Sequence, residues 1–455
     1  MLRFQNDYSE GAHPNVLRAL CDTNLCSTPG YGLDDDCRRA ADAIRARFAC
    51  PDADVHFLVG GTQTNQLAAA AFLRPWEAMV AADTGHINVH ETGAIEATGH
   101  KAIAVPGADG KLTPAAIADA AAQHCAAPGV YDEHMVLPRM VYVSDATELG
   151  TVYTRAELTA LRAACDAHGM YLYLDGARLA QALTAAGSDL QPEDLSRLCD
   201  AFYIGGTKNG LLFGEAMVIV NDALKPGFRR AMKRNGAMLA KGRLLGVQFA
   251  AAMEHDLWLE LGRHADAQAQ RIAAALSDRG IAMYVPSPTN QIFPILSDAQ
   301  IARLQEQVAF YTTARVDAAH QAVRFVTSWA TTDAQVDALL AVLACLLLLA
   351  PRAGAMSEEE IDSEAVYELF DLTGRRLTAL SHRVYEGDEY IAGDNQLYRV
   401  TEVDDQSARA YAAPMGEEPA PLSDRPVEVF SALARESKQT EGKKLIAMYS
   451  THSDE

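Results

Sequence analysis

Residues 171–178 read YLYLDGAR and residues 202–210 read FYIGGTKNG, and these two stretches decide the fold of the chain. In each, an apolar run typical of a buried strand stops at a glycine-containing turn that carries a charged residue. Asp175 ends the first run, and Lys208 follows the second. In an open α/β sheet, ligands bind at the carboxyl ends of the strands, so we expect both side chains to lie in one site.

The same pattern recurs along the first half of the chain, where short apolar runs alternate with alanine-rich amphipathic stretches. This alternation predicts an α/β fold with a large, mostly parallel sheet covered by helices on both faces. The predicted strands are 55–59, 78–82, 101–105, 139–144, 170–174, 201–205 and 215–220. The predicted helices are 64–74, 114–124, 155–168 and 241–278. Strand-like runs near 290–296 and 322–328, separated and followed by helices, predict a smaller α+β domain.

Composition narrows the class of protein. The chain has 455 residues of which 49% are hydrophobic, which predicts a globular protein of two to four domains. Its net charge of −21 argues against nucleic acid or an anionic membrane as partner. The eight cysteines show no Cys-x-x-Cys spacing, which is typical of reduced thiols in a cytoplasmic protein. The first eight residues contain no apolar run, so no signal peptide is expected.

The pair Asp175 and Lys208 suggests a cofactor. A lysine flanked by glycine and threonine can form a Schiff base with pyridoxal phosphate, and an aspartate can keep the pyridine nitrogen protonated. Taken singly, Asp175 is better explained as a helix cap and Lys208 as a solvated loop charge. Together, and with the residues that follow, they favour the cofactor site.

Two further segments supply candidates for the phosphate and the ring. Gly61 and Thr62 follow a predicted strand and open a helix, whose free N–H groups attract an anion; the alternative is a plain glycine turn with a threonine cap. His86 follows the strand at 78–82 and is placed to stack on the ring and to act as base or acid. His86 and His90 have metal-ligand spacing, but no third ligand is near in sequence, so no metal is expected.

Two arginines are candidates for anionic groups. Arg178 lies three residues after Asp175 and is placed to contact the cofactor ring; the alternative is a surface ion pair. Arg324 interrupts an apolar strand pattern, where a charge is costly unless it is paired. Its guanidinium suits the carboxylate of an amino acid, and the alternative is an internal salt bridge.

Residues 1 to about 343 resemble the low-specificity threonine aldolases, fold-type-I pyridoxal-phosphate enzymes related to the β-eliminating lyases. Seven segments carry the resemblance in the family's order: GGTQTN (60–65), GHINVHETGAIEATGHK (85–101), SDATELGTVYT (144–154), YLYLDGAR (171–178), GGTKNG (205–210), KGRLLG (241–246) and RFVTS (324–328). The resemblance implies retro-aldol cleavage of threonine, allo-threonine and related β-hydroxy-α-amino acids to glycine and an aldehyde. β-Elimination or transamination on the same fold, or a non-catalytic assembly protein, are the alternatives.

The resemblance also implies roles for individual residues. Lys208 would be the Schiff-base lysine, with Asp175 at the ring nitrogen, His86 stacked on the ring and Arg178 beside it. Gly61 and Thr62 would hold the phosphate, and Arg324 the substrate carboxylate. Asn6 lies where the family often has a serine near the substrate. Tyr31 and Lys241 or Arg243 would reach the site from a neighbouring subunit, which implies a homodimer or homotetramer.

The last hundred residues do not fit this pattern. Residues 339–350 read LLAVLACLLLLA, and residues 351–455 then carry 11 basic and 22 acidic residues. The run is shorter than the ~20 residues that span a bilayer, so membrane association is not the favoured interpretation. Residues 367–376 predict a β-hairpin, 387–391 and 397–403 further strands, and 404–426 a loop.

The chain ends in a segment, 444–455, that resembles the start of the catalytic domain of stage II sporulation protein P, a zinc peptidoglycan hydrolase. His452 and Glu455 alone make an incomplete metal site, so no hydrolase activity is expected; a disordered acidic end is the alternative. The predicted organisation is an N-terminal segment (1–30), a cofactor domain (31–250), a small domain (251–343), an apolar linker (344–355) and an acidic appended region, read as a truncated second protein (356–455).

Overall fold

The computed structural model describes residues 1–348, 367–380, 388–391, 397–404 and 409–414. The chain divides into two compact units, residues 1–350 and residues 351–455. The strands of the first unit are β1 Leu2–Arg3, β2 Asp54–Leu58, β3 Glu77–Ala82, β4 Lys101–Val105, β5 Cys125–Ala127, β6 Val130–Tyr131, β7 Leu137–Ser144, β8 Tyr171–Asp175, β9 Ala201–Gly205, β10 Glu215–Ile219, β11 Gln291–Ile292, β12 Ile295–Ser297, β13 Val308–Ala309, β14 Tyr311–Arg315 and β15 His320–Val326. Its α-helices are α1 Pro14–Asp22, α2 Asp35–Arg47, α3 Gly61–Phe72, α4 His86–Val89, α5 Pro114–Ala122, α6 Arg155–Ala167, α7 Leu179–Thr184, α8 Pro192–Leu198, α9 Phe228–Arg234, α10 Arg243–Met253, α11 Leu257–Ser277, α12 Asp298–Leu304 and α13 Asp333–Leu348.

A seven-stranded sheet in the order β2-β10-β9-β8-β7-β3-β4 forms the centre of this unit. Only β10 is antiparallel to its neighbours within this sheet, so the predicted mostly parallel α/β sheet is confirmed. Every predicted strand between residues 55 and 220 matches an observed one to within two residues. These strands read as apolar runs because both faces of the sheet are covered by helices.

Each face of the sheet has its own apolar core. On one face, Ile44 of α2, Leu158 of α6 and Phe249 of α10 are buried against the strands. On the other face, Leu67 of α3 and Phe228 of α9 are buried against their own set. The helices therefore hold the sheet from both sides and leave its strand ends accessible.

The predicted helix 241–278 is wrong in one respect, because the chain forms two helices there. α10 and α11 are separated by a 3₁₀ turn, Glu254–Asp256. His255 and Asp256 have φ values of 51° and 65°. That left-handed conformation cannot continue a right-handed helix, so α11 starts afresh at Leu257.

The smaller α+β part contains β11, β12, β14 and β15, with α12 and α13 packed against them. The N-terminal segment belongs to this part, because β1 pairs in parallel with β13 and Phe4 lies in the same core. The sequence pattern gave no sign of this pairing, since β1 has only two residues and its partner lies some 300 residues away.

The apolar run 339–350 begins inside α13. Leu339 and Leu343 are buried in the small-domain core beside Val336. The predicted linker 344–355 is therefore helical as far as Leu348. Within the described part of the chain, every helix is too short or too polar to cross a bilayer.

The second unit contains a five-stranded sheet. Its strands are β16 Tyr367–Asp371, β17 Arg376–Leu380, β18 Glu389–Ile391, β19 Leu397–Asp404 and β20 Arg409–Pro414, in the order β17-β16-β20-β19-β18. β16 and β17 form the predicted hairpin around Gly374, which has φ +86°. β20 falls within the predicted loop 404–426, so that prediction was wrong there. The segment 444–455, with His452 and Glu455, lies outside the described residues.

Candidate active site

A cavity of about 230 Å³ lies where the parallel strands of the central sheet end. It brings together six side chains or backbone positions singled out from the sequence, which come from four different strand ends. These are Gly61, Thr62, His86, Asp175, Arg178 and Lys208. Their convergence follows from topology, because the carboxyl ends of parallel strands meet at one edge of the sheet.

Two glycines allow the strand ends β8 and β9 to approach each other. A Cβ atom on Gly176 would lie 1.9 Å from the carbonyl oxygen of Tyr203, and one on Gly205 would lie 2.2 Å from that of Ala177. The backbone N–H of Gly205 donates to the carbonyl of Gly176. Any other residue would push the two turns apart, and with them Asp175 and Lys208.

Asp175 is fixed by donors on all sides. Its Oδ2 accepts hydrogen bonds from the hydroxyl of Tyr142 at 2.6 Å and from the amide of Asn65 at 2.9 Å. Its Oδ1 accepts the backbone N–H of Ala177 at 3.0 Å. The hydroxyl of Tyr142 stays protonated because burial raises its pKa well above the usual value.

The carboxyl of Asp175 is ionised in spite of its position. Burial by itself raises its pKa, but the hydrogen bonds from neighbouring side chains and the positive potential of His86 outweigh that effect. The net result is a pKa below the usual aspartate value. A buried carboxylate that is ionised at neutral pH can hold a cationic partner at the floor of the cavity.

Lys208, in contrast, is shifted toward its neutral form. Burial lowers the pKa of its ammonium, and the nearby Arg178 guanidinium lowers it further, against the pull of Asp7, Asp175 and Glu215. Its pKa lies below the usual lysine value, so the neutral amine is more accessible than on a solvated lysine. A neutral amine is the form that attacks a carbonyl carbon.

His86 opens α4 and is held by two carboxylates. Its Nδ1 lies 2.8 Å from Oε1 of Glu91, and its backbone N–H donates to Oε1 of Glu148 at 2.9 Å. The ring of His90 lies 5.5 Å from that of His86, centroid to centroid. Among the described residues, no group of three or more histidine, cysteine or acidic side chains is arranged to hold a metal ion.

Arg178 pairs with an aspartate that the sequence did not single out. Its Nε and Nη2 donate to the two oxygens of Asp7, at 2.7 and 3.1 Å, and Asn290 donates to the same carboxylate at 2.9 Å. The side chain of Asp7 is fully buried. This pair joins the N-terminal segment to the wall of the cavity, beside Tyr8, which lines it.

The start of α3 forms another wall. The N–H of Thr64 donates to the carbonyl of Gly60, so the N–H groups before it have no partner inside the helix. Gly61 lies against the hydroxyl of Tyr203, and a Cβ atom there would come within 2.9 Å of that oxygen. The turn thus presents free donors and a helix N-terminus to the cavity.

Arg324 lies near the cavity without lining it. It projects from β15 with its guanidinium 5.7 Å above the ring of Tyr311. Burial lowers its pKa, and the positive charge of Arg178 does so further. Its Nε is buried without a hydrogen-bond partner, and no carboxylate pairs with Arg324 among the described residues. The internal salt bridge considered as an alternative is therefore not found there.

Four other predicted residues lie elsewhere. Asn6 uses its side chain within its own turn, where it accepts the N–H of Tyr8 and the hydroxyl of Ser9. Tyr31 packs under the ammonium of Lys233 and lines a different pocket. The Tyr31 N–H donates to the carbonyl of Ala240, so it lies next to the segment of Lys241 and Arg243. None of these four lines the cavity around Lys208 within this chain.

Several residues of the site were missed from the sequence. Glu91 and Glu148 lie inside quoted motifs. Glu148 is in the turn that follows β7, which is a signal for a site residue, whereas Glu91 follows α4 and no strand end marks it. Asp7 is next to Asn6, and Glu215 begins β10 opposite Gly205. Burial raises the pKa of Glu215 to about 7. Only the antiparallel pairing of β10 brings this carboxyl to the same edge as Lys208, and no local pattern predicts that pairing.

Known proteins of similar sequence indicate the family of this chain. The family model described as beta-eliminating lyase matches residues 18–299. A low specificity L-threonine aldolase of Pseudomonas aeruginosa is 33% identical over 335 residues, covering 72% of this chain and 93% of the relative. A relative of the same name from Saccharomyces cerevisiae is 24% identical, covering 60% of this chain and 68% of its own length.

Solved structures that are similar to this chain point to the same fold. A threonine aldolase of Leishmania major is 47% identical, with a TM-score of 0.74, and covers 76% of this chain and 100% of its own length. An aspartate aminotransferase of Thermus thermophilus, 16% identical with a TM-score of 0.57, covers 76% of this chain and 91% of its own length and shares the fold alone. The predicted fold-type-I architecture is confirmed. The family model and the relatives together show that the chain belongs to the beta-eliminating lyase family, among its threonine aldolases.

Proposed function

We propose that this protein is a pyridoxal-phosphate-dependent aldolase. It cleaves threonine, allo-threonine and related β-hydroxy-α-amino acids to glycine and an aldehyde. The observation that carries the proposal is the meeting of a buried lysine of lowered pKa with an ionised aspartate and a histidine in one cavity. The names of the relatives, low specificity L-threonine aldolases, point to the same reaction.

The residues of the cavity fit this cofactor. Lys208 would carry it, Asp175 would bind its pyridine nitrogen, and the free donors at Gly61 and Thr62 would hold its phosphate. The glycine at position 61 supports this role, because a side chain there would meet Tyr203. When bound, the cofactor supplies an electron sink for the negative charge that develops at the substrate Cα.

Asp175 contributes by staying ionised. Because its pKa is lowered, Asp175 holds a negative charge in the cavity, and this charge would favour a protonated pyridine ring, which is the better electron sink. The donors around its carboxylate prevent it from rotating away. Arg178, held by Asp7, keeps a fixed positive charge beside the lysine.

His86 is the candidate for the base that takes the β-hydroxyl proton, directly or through a water molecule. Its Nδ1 is occupied by Glu91, an acceptor, so this nitrogen carries the hydrogen and Nε2 has the free lone pair. This is the arrangement by which a carboxylate orients a histidine base. The backbone contact with Glu148 holds the start of α4 in place.

Arg324 is the candidate for binding the substrate carboxylate. It is a partly buried cation near Arg178 and Asp7, and no carboxylate satisfies it among the described residues. A bidentate pair with a substrate carboxylate would offset the free-energy cost of burying this unpaired charge. Asn6, whose side chain closes the turn before Tyr8, would shape the substrate side of the site.

The quaternary arrangement is part of the proposal. Tyr31 lies next to the segment of Lys241 and Arg243, and none of the three lines the cavity around Lys208 in its own chain, which suits residues that complete the site of a neighbouring subunit. We therefore propose a homodimer or homotetramer with shared active sites. The seven cysteines between Cys21 and Cys199 are all unpaired, which supports a reducing compartment such as the cytoplasm.

The direct test is an assay of products. The purified protein, supplied with pyridoxal phosphate, should release acetaldehyde and glycine from both threonine and allo-threonine. Arg324→Lys should raise KM far more than it lowers kcat, because a lysine cannot make the bidentate contact. Release of a 2-oxo acid and ammonia without glycine would contradict the aldolase proposal and indicate β-elimination.

A further inference from the structure

Asn65 is a buried residue in the GGTQTN motif to which neither phosphate nor substrate binding assigns a role. It lies in the second turn of α3, after the turn formed by Gly61 and Thr62. Its side chain is 1% exposed and points toward the floor of the cavity, where Asp175 lies. Asparagine is neutral to unfavourable inside a helix, so its presence there calls for specific hydrogen bonds.

The amide of Asn65 makes three hydrogen bonds, two to residues of β8 and one to Glu91, which follows α4. Its Nδ2 donates to Oε1 of Glu91 at 2.8 Å and to Oδ2 of Asp175 at 2.9 Å. Its Oδ1 accepts the hydroxyl of Tyr173 at 3.0 Å. Ionised carboxylates only accept hydrogen bonds, so the NH₂ group has to face the two acids, and both of its hydrogens are used.

The acid Glu91 connects this amide to His86. The same Oε1 atom of Glu91 that accepts from Asn65 lies 2.8 Å from Nδ1 of His86. Its other oxygen is buried and has no partner among the described residues. One asparagine therefore separates and holds two carboxylates, of which one orients His86 and the other lies where the ring nitrogen would be.

We propose that Asn65 is a positioning residue, which fixes Glu91 with His86 on one side and Asp175 on the other. The proposal rests on the proposed function, because Asp175 and His86 are the residues whose geometry the reaction needs. The carboxylate that faces Nδ1 of His86 and the carboxylate of Asp175 therefore share one donor group, the amide of Asn65. A substitution of Asn65 would therefore disturb Glu91 with His86 and Asp175 together, although Asn65 itself does not bind the substrate.

The chemistry of the site explains why this position suits asparagine. An aspartate would place a third carboxylate against two others and would offer no donor, so the acids would repel each other or take up protons. An alanine would remove both donors and leave the hydroxyl of Tyr173 without its acceptor. Each change loosens both acids while Lys208 and the phosphate turn remain.

The test compares Asn65→Ala and Asn65→Asp with the wild type. The readouts are the thermal unfolding of the cofactor-free protein, the visible absorbance and dissociation constant of added pyridoxal phosphate, and kcat and KM separately. Loss of such outer hydrogen-bond partners typically costs about 10–100-fold in affinity or activity. We expect a changed absorption maximum, about tenfold weaker cofactor binding and a fall in kcat with little change in KM.

Asn221→Ala is the matched control. Asn221 also bridges an aspartate, Asp200, and a backbone N–H, but it follows β10 at the opposite edge of the sheet. This variant should lose some thermal stability and keep the wild-type spectrum and kcat. A wild-type spectrum and cofactor affinity in Asn65→Ala would overturn the proposal.

Two further variants keep the proposal testable if Asn65→Ala does not fold. Tyr173→Phe removes only the hydroxyl that Asn65 accepts, and it should shift the spectrum in the same direction by less; an unchanged spectrum would count against the proposal. In a double-mutant cycle, Glu91→Gln and Tyr173→Phe should be non-additive in kcat, because Asn65 is hydrogen-bonded to both residues and couples them. If the wild type binds the cofactor but releases no aldehyde, the proposed function fails, whereas the spectra still decide the role of Asn65.

Discussion

At the scale of single residues, the site depends on charges that burial would normally neutralise. Asp175 stays ionised because hydrogen bonds and nearby positive charge outweigh its burial, whereas burial dominates at Lys208 and lowers its pKa. Two ionisable groups pushed away from their ordinary behaviour in one cavity are typical of a catalytic centre. The surrounding tyrosines take part by remaining protonated donors.

Lys208→Ala should abolish the visible absorbance that appears when pyridoxal phosphate is added, together with aldehyde release. The reason is that alanine has no amine with which to bind the cofactor covalently. Lys101→Ala, which removes an exposed lysine at the start of β4, is the control and should behave like the wild type. An unchanged spectrum in Lys208→Ala would refute the assignment of this lysine.

Asp7→Ala should destabilise the fold as well as the site. It leaves the Arg178 guanidinium, which is only 11% exposed, without its carboxylate. Removal of one partner of a buried ion pair costs about 3–5 kcal/mol in the free energy of unfolding. The exposed pair of Arg38 and Asp35 offers a control, since Asp35→Ala should change the unfolding free energy little. Equal effects of the two substitutions in urea titrations would contradict the prediction.

At the scale of elements, the cavity is made by turns that follow strands, and these turns are held by buried polar groups. The turn after β7 contains Asp145, whose Oδ1 accepts the N–H of Tyr153 at 3.3 Å. Its Oδ2 is buried without a partner among the described residues. Burial raises the pKa of Asp145 to about 8.

This carboxyl predicts a dependence of stability on pH. Because its pKa is higher in the folded state than in the unfolded chain, its contribution is fully present below about pH 4 and is lost as the pH rises through about 8. The unfolding free energy of the wild type, taken relative to that of Asp145→Asn, should fall over this range. The measurement is urea unfolding of both proteins at several pH values. Parallel pH profiles would show that Asp145 does not titrate in this way.

At the scale of the whole molecule, the aldolase fold and the acidic tail belong to two separate compact units. The core of the first unit includes Leu343, which is 3% exposed, and α13 continues to Leu348. A chain ending at Leu343, the boundary that the sequence favoured, would cut this helix before its last turn. The natural place for a cut is after residue 350.

A chain shortened to residues 1–350 should keep the thermal stability of the first unit and full aldehyde release. Its apolar core and its cavity use residues of that unit alone. A chain ending at residue 332 is the opposite control. It removes Val336, Leu339 and Leu343 from the core and should fail to fold. Loss of folding in the 1–350 chain would show that the tail is part of the enzyme.

Much of this molecule could be predicted from its sequence, because the signals are local. Apolar runs that end in glycine turns gave the strands and the positions of Asp175 and Lys208, and the order of motifs gave the family. Parallel strands meet at one edge, so the sharing of one cavity by His86, Asp175 and Lys208 followed as well.

Other features depended on contacts between residues far apart in sequence. Asp7 reaches Arg178 because β1 pairs with β13, Glu215 reaches Lys208 because β10 is antiparallel, and Asn65 lies between two acids because α3 packs on the strand ends. The sequence by itself determined which residue types stand at the strand ends. The tertiary structure alone decided which of them touch and which carboxyls stay charged, since hydrogen bonding and burial arise only when distant segments pack together.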